Sequence, residues 1–213
     1  MFIQYRIVTR LEYQVSLMKT RKYTKTRRAE QQEQTRARIV NATVALHEAL
    51  GPAKTSIKAI AEKAGVQRLT VYRHFPDEES LFVACSTHWL TLNPPPDVAA
   101  WEKIGQADVR SFEVLLAFYQ YYRNTEKLWT KVYRDIEQVP AVRKVMVGFE
   151  TYLDTVRDGL LAPWKLKGKR KRQMSITLRH ALRFSTWQSL ERENLKDKQI
   201  ADLVMGWIQT ISE

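Results

Sequence analysis

Cysteine occurs once in the 213 residues, at Cys85. The chain therefore holds no intramolecular disulfide and no multi-thiolate metal site, and a reducing cytosol suits it. Glycine and proline number only 7 each, too few for the many turns of a β-sandwich. No apolar stretch approaches the roughly 18–20 residues of a membrane-spanning helix. The opening segment 1–17 carries Arg6, Arg10 and Glu12 where a secretory leader needs an unbroken apolar run. Acidic residues are scarce too: 23 Asp and Glu face 35 Lys and Arg, a formal net charge of +12. A soluble, cytoplasmic chain is expected. Its surplus charge points to an anionic partner, most simply nucleic acid, with plain solubility as the alternative.

That charge is unevenly spread. Residues 1–30 hold 8 basic and 2 acidic side chains, a net of +6, whereas residues 31–92 hold 7 and 6, a net of +1. The excess concentrates in KTRKYTKTRR (19–28). By itself such a run is a solvated, flexible arm; beside a DNA-binding module it becomes one that touches phosphates or a minor groove. Met18 stands just before it, so a translation start there is a further expectation. The second cluster, KLKGKRKR (165–172), follows Ala162-Pro163 and contains Gly168. It is expected to be a solvated loop between two helices.

Helical periodicity runs almost throughout, and no alternating strand pattern interrupts it. The spacing predicts helices over 31–50, 57–64, 67–74 and 78–92. Asn93-Pro94-Pro95-Pro96 then marks a linker. Beyond it helices are expected over 97–104, 108–124, 126–137, 140–161, 173–193 and 197–211. The fold class is all-α: a basic arm (1–30), a three-helix head (31–92) and a larger helical body (97–213).

The strongest local signal is TSIKAIAEKAGVQRLTVYRHF (55–75). Two short helices joined by a tight, Gly-containing turn have the form of a helix-turn-helix. Ala61 is small where the two helices approach, and Gly65 stands where the turn requires positive φ. Val66, Val71 and Phe75 are spaced to bury. With Val71 inward, Leu69 and Arg73 project from the opposite face, flanked by Thr70 and Tyr72. In a helix-turn-helix this second helix enters the major groove. Arg68 there suits guanine, Leu69 and Thr70 a thymine methyl, and Tyr72, Arg73 and His74 suit phosphates. Ser56 opens the first helix, whose N–H groups offer another phosphate contact.

The run from Ser56 through Ile60-Ala61, Ala64-Gly65-Val66 and Thr70-Val71-Tyr72-Arg73-His74-Phe75, with Glu79 and Leu81 beyond, resembles the DNA-binding domain of the tetracycline-repressor-like (TetR) regulators. The resemblance covers about residues 31–92; the remainder is similar only in length and helical character. It implies a homodimer with a DNA-binding head and a ligand-binding body, released from a near-palindromic operator by a small-molecule effector. By position it implies base contacts at Arg68, Leu69 and Thr70, and phosphate contacts at Ser56, Gln67, Tyr72, Arg73 and His74. Two departures stand out. Many members have Gly or Ala where Leu69 stands, and many have Ser-Lys-Glu where this chain has Asp77-Glu78-Glu79. Glu78 thus replaces a lysine that often touches phosphate, a loss for which the basic arm is expected to compensate.

For the body, the family's positions direct attention between helices 108–124, 126–137, 140–161 and 173–193. Trp129, Tyr133, Phe149 and Tyr152 are the candidate ligand contacts, set against ordinary core packing. Glu150 and Asp154 are candidate partners for a cationic ligand, or solvated helix residues. Phe184, Trp187, Trp207, Ile208 and Ile211 are candidates for a two-helix-per-subunit dimer interface, or for packing within the subunit. No Ser-His-Asp order, HExxH, Gly-rich phosphate loop or paired-Cys motif occurs, so neither catalysis, metal nor cofactor is expected. Cys85, between Phe82 and Trp89, reads as a core thiol. Two other functions compete: a ligand-independent activator or architectural protein with the same head, and a helical enzyme or adaptor that merely contains the motif.

Overall fold

The structure is a computed structural model and describes residues 27–212. Residues 1–17, the Met18 start and the basic arm up to residue 26 lie outside the described residues. Among the described residues every regular element is helical. Helix α1 (27–50) packs with α2 (Ile57–Ala64), α3 (Arg68–His74) and α4 (Glu78–Leu92) as a head. The body comprises α5 (Ala107–Asp135), α6 (Pro140–Leu161), α7 (Gly168–Ala181), α8 (Phe184–Glu191) and α9 (Asp197–Ser212).

Two apolar cores result. The head core gathers Ile39, Val40, Ala61, Val71, Phe75, Leu81 and Cys85. The body core gathers Phe118, Tyr122, Trp129, Phe149, Trp187 and Ile208, and it also takes Phe82 and Trp89 from α4. One helix thus supplies alternate side chains to both cores. Along α1, Thr43 and His47 are buried with Ile39, Val40 and Ala42, while Leu50 is exposed. Thr43 escapes the cost of burial because its hydroxyl donates to the Ile39 carbonyl at 2.8 Å.

The structure departs from the expected elements at four places. Helices 108–124 and 126–137 form one 29-residue helix, α5. Thr125, the expected break, donates its buried hydroxyl to the Tyr121 carbonyl at 2.5 Å and stays in the helix. Conversely, 173–193 is divided between α7 and α8, with Arg183 extended at φ −79° and ψ 141°. No Gly or Pro marks that division. Its freed carbonyls are satisfied from across the core, where the Tyr119 hydroxyl donates to Ala181 at 3.0 Å and the Tyr122 hydroxyl to Leu182 at 2.7 Å. The bend lets Phe184 and Trp187 turn inward. The 165–172 cluster is only half loop, since Gly168–Arg172 opens α7; Lys and Arg are good helix formers when their charges face solvent. The 97–104 segment reduces to a single 3-10 turn, Val98–Trp101, capped by Asp97.

Burial also corrects the expected dimer face. Phe184, Trp187 and Ile208 are at most 1% exposed and belong to the subunit's own core. On α9 the exposed apolar residues are Leu203 and Trp207, one turn apart. Asp154 pairs with Arg157 at 2.5 Å and Arg179 at 2.6 Å, and Glu150 with Arg183 at 3.4 Å. Both acids are engaged by the body's own arginines.

Candidate DNA-reading face and the cavity behind it

The helix-turn-helix is set by its caps. The Ser56 hydroxyl accepts from the Ala59 N–H at 3.2 Å and starts α2. Gly65 ends it in the left-handed region, at φ 65° and ψ 42°. The Gly65 N–H donates to Glu62 and the Val66 N–H to Ala61, the paired bonds of a Schellman ending. The chain then enters α3 with Val71 completely buried and Phe75 nearly so. These two anchors fix the rotation of α3. Arg68, Leu69, Tyr72 and Arg73 are exposed along its open side, with Gln67 and Ser56 exposed at the helix starts. Thr70 and His74 are half-buried at its edges. Leu69 is 76% exposed, which gives an apolar side chain no packing role within the subunit.

One neighbour of this face was invisible to motif spacing. Arg36 of α1 lies over the Phe75 ring at 4.8 Å. Partial burial, then Arg73 and Arg36, lower the His74 pKa, with Glu33 opposing them. Arg36 and Arg73 therefore make one positive corner of the head beside His74. Helical register along α1 could have suggested it, since Arg36 precedes the buried Val40, Thr43 and His47 on the same stripe.

The head is joined to the body where α1 ends. Gly51 has φ 92° and ψ 161°, a conformation essentially restricted to glycine. The end of α5 rests against it: Arg134 donates to the Leu50 carbonyl at 3.0 Å, and Asp135 accepts from the Ala53 N–H at 3.0 Å. Arg134 and Asp135 also pair directly at 2.6 Å, which with the Ala53 N–H holds the carboxyl below its ordinary pKa. A further ion pair links Lys144 of α6 to Glu79 of α4.

Above this joint lies an apolar cavity of about 250 Å³. Trp129, Phe149 and Tyr152 line it, whereas Tyr133 does not; Tyr133 instead stacks on Phe184 at 5.4 Å. The wall lacks α7 and α8. Its remaining side comes from the head, through Val44 and His47 of α1 and Phe82, Cys85 and Trp89 of α4. Among the described residues no Lys, Arg, Asp or Glu lines it. Burial lowers the His47 pKa to about 4, so the ring is neutral at physiological pH. Burial raises the Cys85 thiol to about 12, which makes it a poor nucleophile. An ion entering this space gives up hydration worth several kcal/mol, against about 2 kcal/mol returned by a cation–π contact.

His47, Pro52 and Phe82 form a shared partition. Their other side lines a cleft of about 510 Å³ bounded by Ser56, Arg68 and Tyr72 of the helix-turn-helix and by Gln138 and Pro140 of the body. The His47 and Phe82 rings lie 4.8 Å apart. Among the described residues no three His, Cys, Asp or Glu side chains gather as metal ligands, and no helix is long and apolar enough to cross a membrane.

A helix-turn-helix with an open recognition helix, mounted on a helical body, defines a DNA-binding transcriptional regulator. Residues 39–85 match the model of "Bacterial regulatory proteins, tetR family", so the head carries that family's DNA-binding domain. A comparison with curated proteins gives no match. Solved structures share the fold over most of the chain. A TetR-like transcriptional regulator from Rhodococcus sp. RHA1 is 18% identical with a TM-score of 0.57, covering 84% of this chain and 93% of its own. A TetR transcription regulator from Haloarcula marismortui is 13% identical with a TM-score of 0.53, covering 84% and 96%. The multidrug binding protein EbrR, complexed with imidazole, is 17% identical with a TM-score of 0.54, covering 83% and 88%. These likenesses concern the fold.

Proposed function

We propose that the chain is a homodimeric repressor whose head (31–92) reads a near-palindromic operator and whose body (97–213) releases it when a small molecule fills the cavity. The observation that carries the reading is the orientation of α3: Val71 wholly buried, with Arg68, Leu69 and Arg73 exposed on the other side. Arg68, Leu69 and Thr70 are the proposed base contacts. Ser56, Gln67, Tyr72, Arg73 and His74 are the proposed phosphate contacts, with Arg36 added from the positive corner. In a dimer, two such helices would stand ~34–36 Å apart or a multiple of that spacing.

Release is proposed to act through the partition. A ligand among Trp129, Phe149 and Tyr152 presses on His47 and Phe82, whose far side lines the cleft beside Arg68 and Tyr72. The likeness in fold to a multidrug binding protein supports a ligand-holding body. The test is to select bound duplexes from a random pool and then screen small molecules for release. Sequence-independent binding, or tight binding that no ligand relieves, removes this reading.

Two expected results follow at the DNA face. Arg68→Ala costs ~1–3 kcal/mol at one operator position, whereas Arg73→Ala weakens all sequences about equally. Affinities for an operator and its single-base variants distinguish the two. His74 adds a pH dependence. In the free head its pKa is lowered by burial, Arg73 and Arg36, against Glu33; a phosphate beside it favours the charged ring. The complex therefore holds more protons than the free partners, so affinity rises as pH falls. Binding should tighten by up to about tenfold per pH unit across the imidazole range, and His74→Gln should flatten that slope in anisotropy titrations from pH 8 to 5.5.

A further inference from the structure

We infer that the cavity takes a neutral, largely aromatic ligand of about two fused rings with one hydrogen-bonding group, held by His47; this rests on the reading of the cavity as the effector site. Size is the first argument. A cavity of ~150 Å³ holds benzene, so the 250 Å³ here accommodates on the order of ten heavy atoms by the same scale.

Charge is the second argument. An anion entering the cavity meets no cationic side chain among the described residues. A cation meets the aromatic surfaces of Phe82, Trp89, Trp129, Phe149 and Tyr152 but no carboxylate. The acids near the wall are engaged: Asp97, whose charge reaches Tyr152, accepts from the Ala99 N–H at 3.0 Å. Asp135 accepts from Arg134 and the Ala53 N–H, and the exposed Glu48 accepts from the Trp89 indole N–H at 3.0 Å. Aromatic faces alone return less than the hydration a cation loses on entering. An uncharged ring system loses little and gains the full apolar contact.

The polar handle is the third argument. The Tyr152 hydroxyl is committed to the Pro96 carbonyl. The Cys85 thiol donates to the Phe82 carbonyl at 3.3 Å. With its proton so placed, the sulfur 3.8 Å from His47 Nδ1 acts as the acceptor of an Nδ1–H. Nε2 of the neutral ring is then an acceptor, suited to a ligand O–H or N–H. Ser86, beside the thiol, and the Trp129 indole N–H, which has no hydrogen-bond partner among the described residues, are further polar groups of the wall.

Four bicyclic probes of similar size test this in the absence of DNA: 2-naphthol, naphthalene, naphthalene-2-sulfonate and N-methylquinolinium. Titration calorimetry serves the soluble three at pH 7.5, and equilibrium dialysis serves naphthalene. The expected result is that 2-naphthol binds at least about tenfold more tightly than either charged probe, and more tightly than naphthalene. Val145→Trp, which fills the cavity from α6, should abolish binding. His47→Phe should lower 2-naphthol to the level of naphthalene without loss of naphthalene binding. Preference for a charged probe, binding of none of the four, or an unchanged 2-naphthol preference in His47→Phe overturns the proposal. The wild-type probe series stands even where a variant fails to fold. A protein that binds 2-naphthol yet stays on its operator leaves this inference intact and removes the effector reading instead.

Discussion

A chain carrying both Leu203→Arg and Trp207→Glu is expected to be monomeric and to lose about 10²–10⁴-fold in operator affinity. The two residues lie one turn apart on α9, 42% and 44% exposed. Gly206 stands beside Trp207, and a Cβ there would meet nothing within 4 Å, so this surface is open to a second helix. The opposite stripe, Val204 and Ile208, is wholly buried, so the substitutions should leave the subunit's core and its unfolding nearly unchanged. The proposed effect is therefore one of linkage. Two recognition helices held in one particle make the second half-site contact effectively intramolecular, an advantage of about 10²–10⁴. Sedimentation equilibrium and anisotropy on a full operator and a single half-site check it. A variant that remains dimeric puts the interface elsewhere.

Gly51→Ala is expected to destabilise the chain by about 2–5 kcal/mol. The backbone conformation, φ 92° and ψ 161°, costs a residue with a Cβ about 1–3 kcal/mol. The new methyl would also stand 2.2 Å from Arg134 Nη2 and 2.6 Å from Asp135 Oδ2. Either side chain can move only by abandoning the Leu50 carbonyl or the Ala53 N–H. Leaving the part-buried Ala53 N–H unpaired adds about 1–3 kcal/mol. Thermal unfolding should show a midpoint lower by roughly 5–15 °C for a chain of this size. Asp135→Asn provides the comparison: it keeps an acceptor for Ala53 but weakens the pairing with Arg134, and should cost less. An unchanged melting point in Gly51→Ala would mean that the joint relaxes freely.

Which residues α3 buries and which it exposes was largely legible in the sequence because the constraints are local. Ser56, Gly65, Val71 and Phe75 act over a few residues, and a cap, a left-handed turn and a helical register each follow from residue type and spacing. The cavity was half legible. Trp129, Phe149 and Tyr152 could be anticipated on the body, yet the opposite wall comes from α1 and α4, far away in sequence. His47 was hidden in particular. A histidine within a buried stripe reads as polar until its surroundings are known to keep it neutral. The division between α7 and α8 was also unreadable, because what permits it lies about 60 residues earlier, in the hydroxyls of Tyr119 and Tyr122. Helix ends marked by Gly, Pro or a capping residue are visible in a sequence; ends satisfied from across a core are not.

The double membership of α4 restricts how the head can move. Leu81 and Cys85 are seated in the head core, while Phe82 and Trp89 are seated in the body core. Turning the helix about its own axis would unseat both sets together, and sliding it lengthwise would do the same. What remains cheap is a swing in which α4 travels whole, as a lever with its fulcrum where Trp89 meets the body. In such a lever the travel grows with distance from the fulcrum, so a sub-ångström adjustment near the cavity becomes a larger excursion at α3.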